Sequence, residues 1–181
     1  MEAKQIEKVH LPDNVKASYE NGVLALKGPN GENKKAFAAN ETRIKAEKEE
    51  ITIVYEKSSK RSKKTAKTIK AHIKNMVRGV TEGHAYRLKI CSGHFPMNVS
   101  IAGNELVIKN FIGEKYPRRA RIAPEVNAVV EGQEILIRST SKEAAAQCAA
   151  TIEQLTKRTG FDRRVFMDGI FIINKDGKEL K

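Results

Sequence analysis

The sequence predicts an α+β protein made of two tandem duplicated domains, each an antiparallel-type sheet with one helix packed on one face. Three observations carry this. Leu24, Leu26, Lys27, Gly31 and Glu32 are answered by Leu106, Ile108, Lys109, Gly113 and Glu114 at a constant offset of 82 residues. Further on, Glu50-Ile51-Thr52-Ile53 is answered by Glu134-Ile135-Leu136-Ile137, at an offset of 84. Each of these strand patterns is followed by a serine and then by apolar residues spaced three and four apart, the signature of an amphipathic helix. Two copies are too few for a solenoid. They divide the chain into an N-terminal repeat, residues 1–82, and a C-terminal repeat, residues 83–181.

In the first repeat, residues 5–10 alternate as a strand and Pro12-Asp13-Asn14 is a turn signal. Val15–Glu20 and Val23–Lys27 form a hairpin about Asn21-Gly22, since Asn-Gly readily takes the positive φ angles of a two-residue turn. Lys34–Ala39, Thr42–Ala46 and Glu50–Tyr55 read as further strands. Ser58 or Ser59 is placed to cap a helix running to Arg78, with Ala66, Ile69, Ile73, Met76, Val77 and Val80 on its inner face. Its other face carries Lys60, Arg61, Lys63, Lys64, Lys67, Lys70 and Lys74, either a solvated surface or an RNA contact. Gly79–Gly83 is the join between repeats.

In the second repeat, His84–Ile90 and Asn98–Ile101 are extended, and Gly103-Asn104 is the turn matching Asn21-Gly22. The strand pattern of Leu106–Lys109 leads into a turn and then a cation-rich loop. Val126–Val130 and Ile135–Arg138 are strands, and a helix from Ser141 to Lys157 buries Ala145, Cys148, Ala149, Ile152 and Leu155. Arg163–Ile173 is read as the last strand and Asn174–Lys181 as a polar tail, frayed unless something binds it.

Composition restricts the partners. A formal charge of +12 favours polyanions. No apolar run reaches membrane-spanning length and no signal peptide opens the sequence, so an intracellular, soluble protein is expected. Cys91 and Cys148 make neither a disulfide framework nor a four-ligand zinc site and are expected to be small buried residues. Neither a metal nor any cofactor is expected. Phosphate-binding, dinucleotide, zinc-protease and serine-nucleophile motifs are all missing, and the four histidines are scattered. His72 is read as a helix-flank residue and Asp168, before Gly169, as a turn residue. An enzyme is therefore not expected.

The stretch Leu106–Ile122, LVIKNFIGEKYPRRARI, concentrates what remains. Lys115, Arg118, Arg119 and Arg121 surround Tyr116 on a loop leaving a sheet. Such cations neutralise phosphates, and the ring can stack on a base. The alternative is a duplicated DNA-bending module of the saddle type. It needs paired phenylalanine wedges, yet Phe111 is answered by Pro29 in the first repeat.

Asn110–Arg121, NFIGEKYPRRAR, and Arg163–Ile172, RRVFMDGIFI, resemble the archaeal and eukaryotic form of ribosomal protein six of the large subunit. The resemblance extends over nearly the whole chain. Where family members often carry Tyr before the last aliphatic residue of that strand, this chain has Phe171, which removes a hydroxyl. The resemblance implies a structural, non-enzymatic role in the large ribosomal subunit in the cytoplasm, as a monomer without membrane attachment. The implied partners are large-subunit rRNA near the sarcin–ricin loop, neighbouring ribosomal proteins and translational GTPases docking nearby. It also implies that the second repeat is the main rRNA-binding domain. The residues matching this role are Lys109, Lys115, Tyr116, Arg118, Arg119, Arg121, Lys157, Arg158, Arg163, Arg164 and Lys175. Net charge alone points the other way, with 18 basic and 11 acidic residues in 1–82 against 16 and 11 in 83–181. The second repeat is favoured because its cations are gathered on one loop with an aromatic.

Separate expression of Met1–Glu82 and Gly83–Lys181 should give two cooperatively folded products by circular dichroism and thermal melting. Two unfolded fragments would show that neither repeat carries its own core.

Overall fold

The computed structural model describes residues 5–37, 42–47, 49–55, 60–162 and 164–180. The chain separates into two compact units, Met1–Gly83 and His84–Lys181.

The first unit contains β1 (Gln5–His10), β2 (Lys16–Glu20), β3 (Val23–Gly28), β4 (Gly31–Ala36), β5 (Thr42–Ala46), β6 (Glu50–Tyr55) and α1 (Lys60–Thr81). Its strands form two antiparallel sheets, β1-β6-β5 and β2-β3-β4. Asn21 and Gly22 both take positive φ, 49° and 79°, which closes the β2–β3 hairpin tightly. Leu24, Leu26, Ile51, Ile53, Ile73 and Val80 are fully buried where the sheets meet the helix. Each such side chain contributes about 1.5–3 kcal/mol relative to exposure.

The inner face of α1 is Ser62, Ala66, Ile69, Ile73, Met76, Gly79 and Val80, while Val77 is half-buried. The helix runs past Arg78 to Thr81. Gly79 does not stop it, because it lies buried against the sheets. Gly83 does, at φ 81°, with its N–H and that of Glu82 both donating to the Arg78 carbonyl. The serine cap expected at Ser58 or Ser59 lies outside the described residues. The strand predicted over Lys34–Ala39 is Gly31–Ala36.

The second unit repeats this order: β7 (His84–Cys91), β8 (Asn98–Ala102), β9 (Glu105–Lys109), β10 (Arg118–Arg121), β11 (Val126–Glu131), β12 (Glu134–Ser139) and α2 (Lys142–Leu155). It then adds β13 (Gly169–Lys175) and β14 (Lys178–Glu179). The pairings β7-β12-β11 and β10-β9-β8 reproduce those of the first unit strand for strand. The difference is β13, which pairs antiparallel with the outer edge of β7 and widens that sheet to five strands. Ser141 caps α2, its hydroxyl accepting from the Ala144 N–H.

Two expectations need correction here. The last strand begins at Gly169, not Arg163. Upstream, the N–H groups of Val165 and Phe166 turn back to the Asp162 carbonyl and that of Arg164 to the Asp162 carboxylate. The tail, expected to fray unless bound, is bound: the Asp176 N–H donates to the Ala85 carbonyl, and the buried Asp176 carboxylate meets His84 Nδ1 at 2.9 Å and Lys142 Nζ at 3.3 Å. Of the two cysteines only Cys148 is buried, and burial pushes its thiol pKa up. Cys91, at the end of β7, is half-exposed.

The turn between β3 and β4 approaches the end of α1 closely. Its Asn30 donates from the backbone to the Val80 carbonyl at 3.0 Å and from Nδ2 to the Thr81 carbonyl at 2.9 Å. A Cβ built on Gly28 would lie 2.7 Å from the Val80 carbonyl oxygen. Gly28→Ala should therefore force the turn off the helix end and destabilise the first unit by about 1–3 kcal/mol in denaturant unfolding.

Candidate nucleic-acid interface

The loop between β9 and β10 is held by three left-handed residues in a short span. Asn110, Ile112 and Gly113 have φ of 58°, 46° and 75°. Glycine accepts this without strain, but a β-branched residue does not. Packing compensates: Phe111 between them is 1% exposed and inserts into the core with Leu106, Ile108 and Ala120. Asn110 Nδ2 donates to the Pro96 carbonyl and the Glu114 N–H to the Phe111 carbonyl. This burial also bears on a DNA-bending role, since a phenylalanine plugged into the core is not available as an intercalating wedge.

From that anchor the cations divide. Arg118 turns inward. Its Nε and Nη2 donate to the two carboxylate oxygens of Glu114 at 2.8 and 2.6 Å, its Nη1 donates to the Leu155 carbonyl, and its guanidinium lies 4.4 Å from the Phe111 ring centroid. The hydrogen bond from Arg118 holds the Glu114 carboxyl below its ordinary pKa, against the opposing effect of burial. Arg119 and Arg121 alternate with the buried Ala120 and face out of the sheet. The register pairs Arg119 with Val107 and Arg121 with Glu105, so Lys109, two residues beyond Val107, shares their face. Arg119 is 3.7 Å from Glu105. Lys115 and Tyr116 project from the loop, and Tyr116 is 86% exposed.

A second loop follows α2. Lys157, Arg158 and Arg164 are exposed on it, and Arg163 lies outside the described residues. Arg158 stacks 4.2 Å over the Phe161 ring; Phe161 meets Phe166 edge-on at 4.9 Å; Phe166 stacks on His94 at 4.8 Å. Val165 and Met167 beside them are 61% and 65% exposed. The two loops meet at a cleft of about 320 Å³ lined by Ile112 from the first and Lys157, Arg158, Phe161 and Phe166 from the second, with Phe171 of β13 and the acidic Glu153 and Asp168. Lys175 is not brought to it. It lies at the far end of β13, six residues from Gly169, or about 20 Å along an extended strand.

Asp168 does more than make a turn. It is buried, accepts from the backbone N–H of Gly93 at 2.7 Å and of His94 at 3.1 Å, and its Oδ2 lies 2.7 Å from His94 Nδ1. Burial alone would raise its pKa, but the hydrogen bonds from the His94 ring and the two N–H groups outweigh this and lower it. Phe161, Phe166, His94 and Asp168 were not among the residues expected at the interface. The only signal for them was aromatic residues clustered beside Arg158 and Arg164.

The duplicated α+β chain gathers Lys157 and Arg158 with Phe161 and Phe166 at one cleft, an arrangement that suits a polyanion. The family model described as Ribosomal protein L6 matches residues 11–83 and 95–169, once in each unit. The chain is 42% identical over 171 residues to the large ribosomal subunit protein uL6 of Saccharolobus solfataricus, covering 94% of both chains. It is 42% identical to that of Ignicoccus hospitalis, covering 93% of both, and 39% identical to that of Methanococcus vannielii, covering 96% of both. The chain belongs to the ribosomal protein L6 family and is a structural, non-enzymatic component of the ribosome.

Arg118→Gln should destabilise the second unit by about 1–3 kcal/mol at neutral pH, because it leaves Glu114 partly buried without its cation. The depressed pKa of Glu114 gives stability above the ordinary carboxylate range that is lost as pH falls through the folded-state value. The variant should lose that contribution, so its stability should fall less steeply than wild type on acidification. Equal slopes in pH-dependent unfolding would show that the pair contributes nothing.

Proposed function

We propose that the chain is a cytoplasmic constituent of the large ribosomal subunit and binds large-subunit rRNA through its second unit. The carrying observation is Tyr116, 86% exposed at the tip of a loop whose conformation is locked by buried Phe111. An aromatic held in water next to Lys115, on the loop that leads into the strand bearing Arg119 and Arg121, suits an unpaired base or a sugar flanked by phosphates. Lys157 and Arg158 add cations at the cleft that Ile112 of this loop also lines, and Arg158, already stacked on Phe161, offers a planar donor for phosphate or base. Arg118 belongs to the support of this face rather than to its contacts, because all three of its nitrogens are engaged inside the protein.

The family resemblance supports placing this face near the sarcin–ricin loop, next to the region where translational GTPases dock and among neighbouring ribosomal proteins. The lysine face of α1 is the competing surface. Over Lys60, Lys63, Lys64 and Lys67 it is read as solvated, because no aromatic interrupts these exposed lysines and no anchored loop organises them.

Lys115, Arg119 and Arg121 together changed to Ala should weaken binding to an rRNA fragment carrying the sarcin–ricin region and reduce the salt slope by about 2 units, since each lost phosphate contact removes about 0.7–0.9. Lys60, Lys63 and Lys64 changed to Ala should alter the slope little. Tyr116→Phe should be mild and Tyr116→Ala costly, by about 1–3 kcal/mol if the ring stacks on a base. Filter binding across a salt series reads all four. Equal slopes and losses for the two triple variants would remove the loop from the interface.

A further inference from the structure

The two units differ at one edge. In the second unit, the outer edge of β7 is filled by β13. In the first, the matching edge of β1 has no strand beside it among the described residues. The match holds at the level of single hydrogen bonds. The Leu11 N–H donates to the Glu49 carbonyl, and the Ile90 N–H donates to the Gln133 carbonyl at the equivalent place. In an antiparallel ladder the bonded residues alternate. Ile6, Lys8 and His10 therefore direct their N–H and C=O groups outward, as Ala85, Arg87 and Lys89 do. Those three are the residues met by the last strand: Phe171 pairs with Lys89, Asn174 with Arg87, and the Asp176 N–H reaches the Ala85 carbonyl.

We propose that the edge of β1 is a strand-addition site, and that its occupant in the ribosome is an extended, acidic segment of a neighbouring ribosomal protein. The duplicate shows that this sheet geometry takes a strand at this position. The chemistry of the occupant follows from the groove beside it. A cleft of about 490 Å³ lies between β1 and α1, lined by Lys8, Val9, His10, Lys70, Lys74 and Val77, with Arg78 and Glu82 at its end. An added strand would send alternate side chains toward α1, where Lys74 and the Lys70–Glu7 and Arg78–Glu82 pairs meet them around the apolar Val77. Carboxylates alternating with an aliphatic residue fit that surface. Main-chain bonds to residues 6, 8 and 10 would supply the affinity. Within β1, Lys8 bonds Glu50 on its own sheet, and Ile6 is 57% exposed, an apolar residue an added strand would cover.

The inference rests on membership of the ribosome and not on the rRNA-binding reading of the second unit. The test compares free full-length chain with large subunits that have incorporated it. Amide hydrogen exchange at Ile6, Lys8 and His10 should slow by at least about tenfold on incorporation, as edge amides gain a ladder partner. A photo-cross-linking residue, Ile6→p-benzoylphenylalanine, should link to an extended segment of a second ribosomal protein. Lys8→Pro, which removes only an outward N–H, should abolish the slowing at His10 and the cross-link. Lys8→Ala should keep both, and neither change should alter rRNA filter binding. Unchanged exchange, or a cross-link to rRNA or to a second copy of this chain, would overturn the proposal even if Lys8→Pro proved unstable.

Discussion

The guanidinium of Arg118 is the tie on which the candidate face depends. It binds both oxygens of Glu114 within its own loop, the Leu155 carbonyl at the end of α2, and the face of the Phe111 ring. Charge-assisted bidentate bonds of this kind are stronger than neutral ones. A cation at a helix C-terminus also meets the favourable end of the macrodipole. With Arg118 at 23% and Glu114 at 29% side-chain exposure, the pair is shielded enough to hold geometry yet wet enough to avoid a large desolvation cost. The first unit solves the same problem with neutral groups. There Asn30 donates to the Val80 and Thr81 carbonyls at the end of α1. In both repeats the turn after the central strand of the small sheet satisfies helix carbonyls that would otherwise lack partners.

That tie explains how adjacent arginines come to have different work. Arg118 and Arg119 are indistinguishable by type and neighbour each other in sequence. The period-two alternation of a strand sends one to the helix and the other to solvent. The signal was present in the sequence, since Ala120 and Ile122 are the small and aliphatic residues of β10 and its exit and share the parity of Arg118. Counting charge along the loop hides this. Assigning each residue to a face of the strand reveals it.

The duplication, the Asn21-Gly22 hairpin and both helix stripes were legible because each is a local pattern with its own period or turn chemistry. The segment from Thr156 to Asp168 was not. Its conformation is set by partners distant in sequence: Asp168 is fixed by Gly93 and His94, and Phe166 by His94. A run such as Arg-Val-Phe-Met has high β propensity, and tertiary contacts override it. What binds the tail was illegible for the same reason, because Asp176 is held by His84 and Lys142 rather than by its neighbours.

Divergence between the repeats then accounts for where the cations and aromatics gather. Adding β13 to the edge of β7 requires the chain to cross from the end of α2 back to the start of that strand at Gly169. The crossing is the segment that carries Arg158, Phe161 and Phe166. It arrives beside the loop from β9 because Gly169 pairs with Cys91, at the end of β7 that leads into the Gly93–His94 turn. The first unit ends at its helix and has no such crossing, so its lysines stay spread along α1 without an aromatic framework. The same added strand that closes one sheet edge therefore builds the cleft. Among the described residues of the first unit no strand takes that place, which leaves that repeat with an open edge and a dispersed charge, two features with one structural cause.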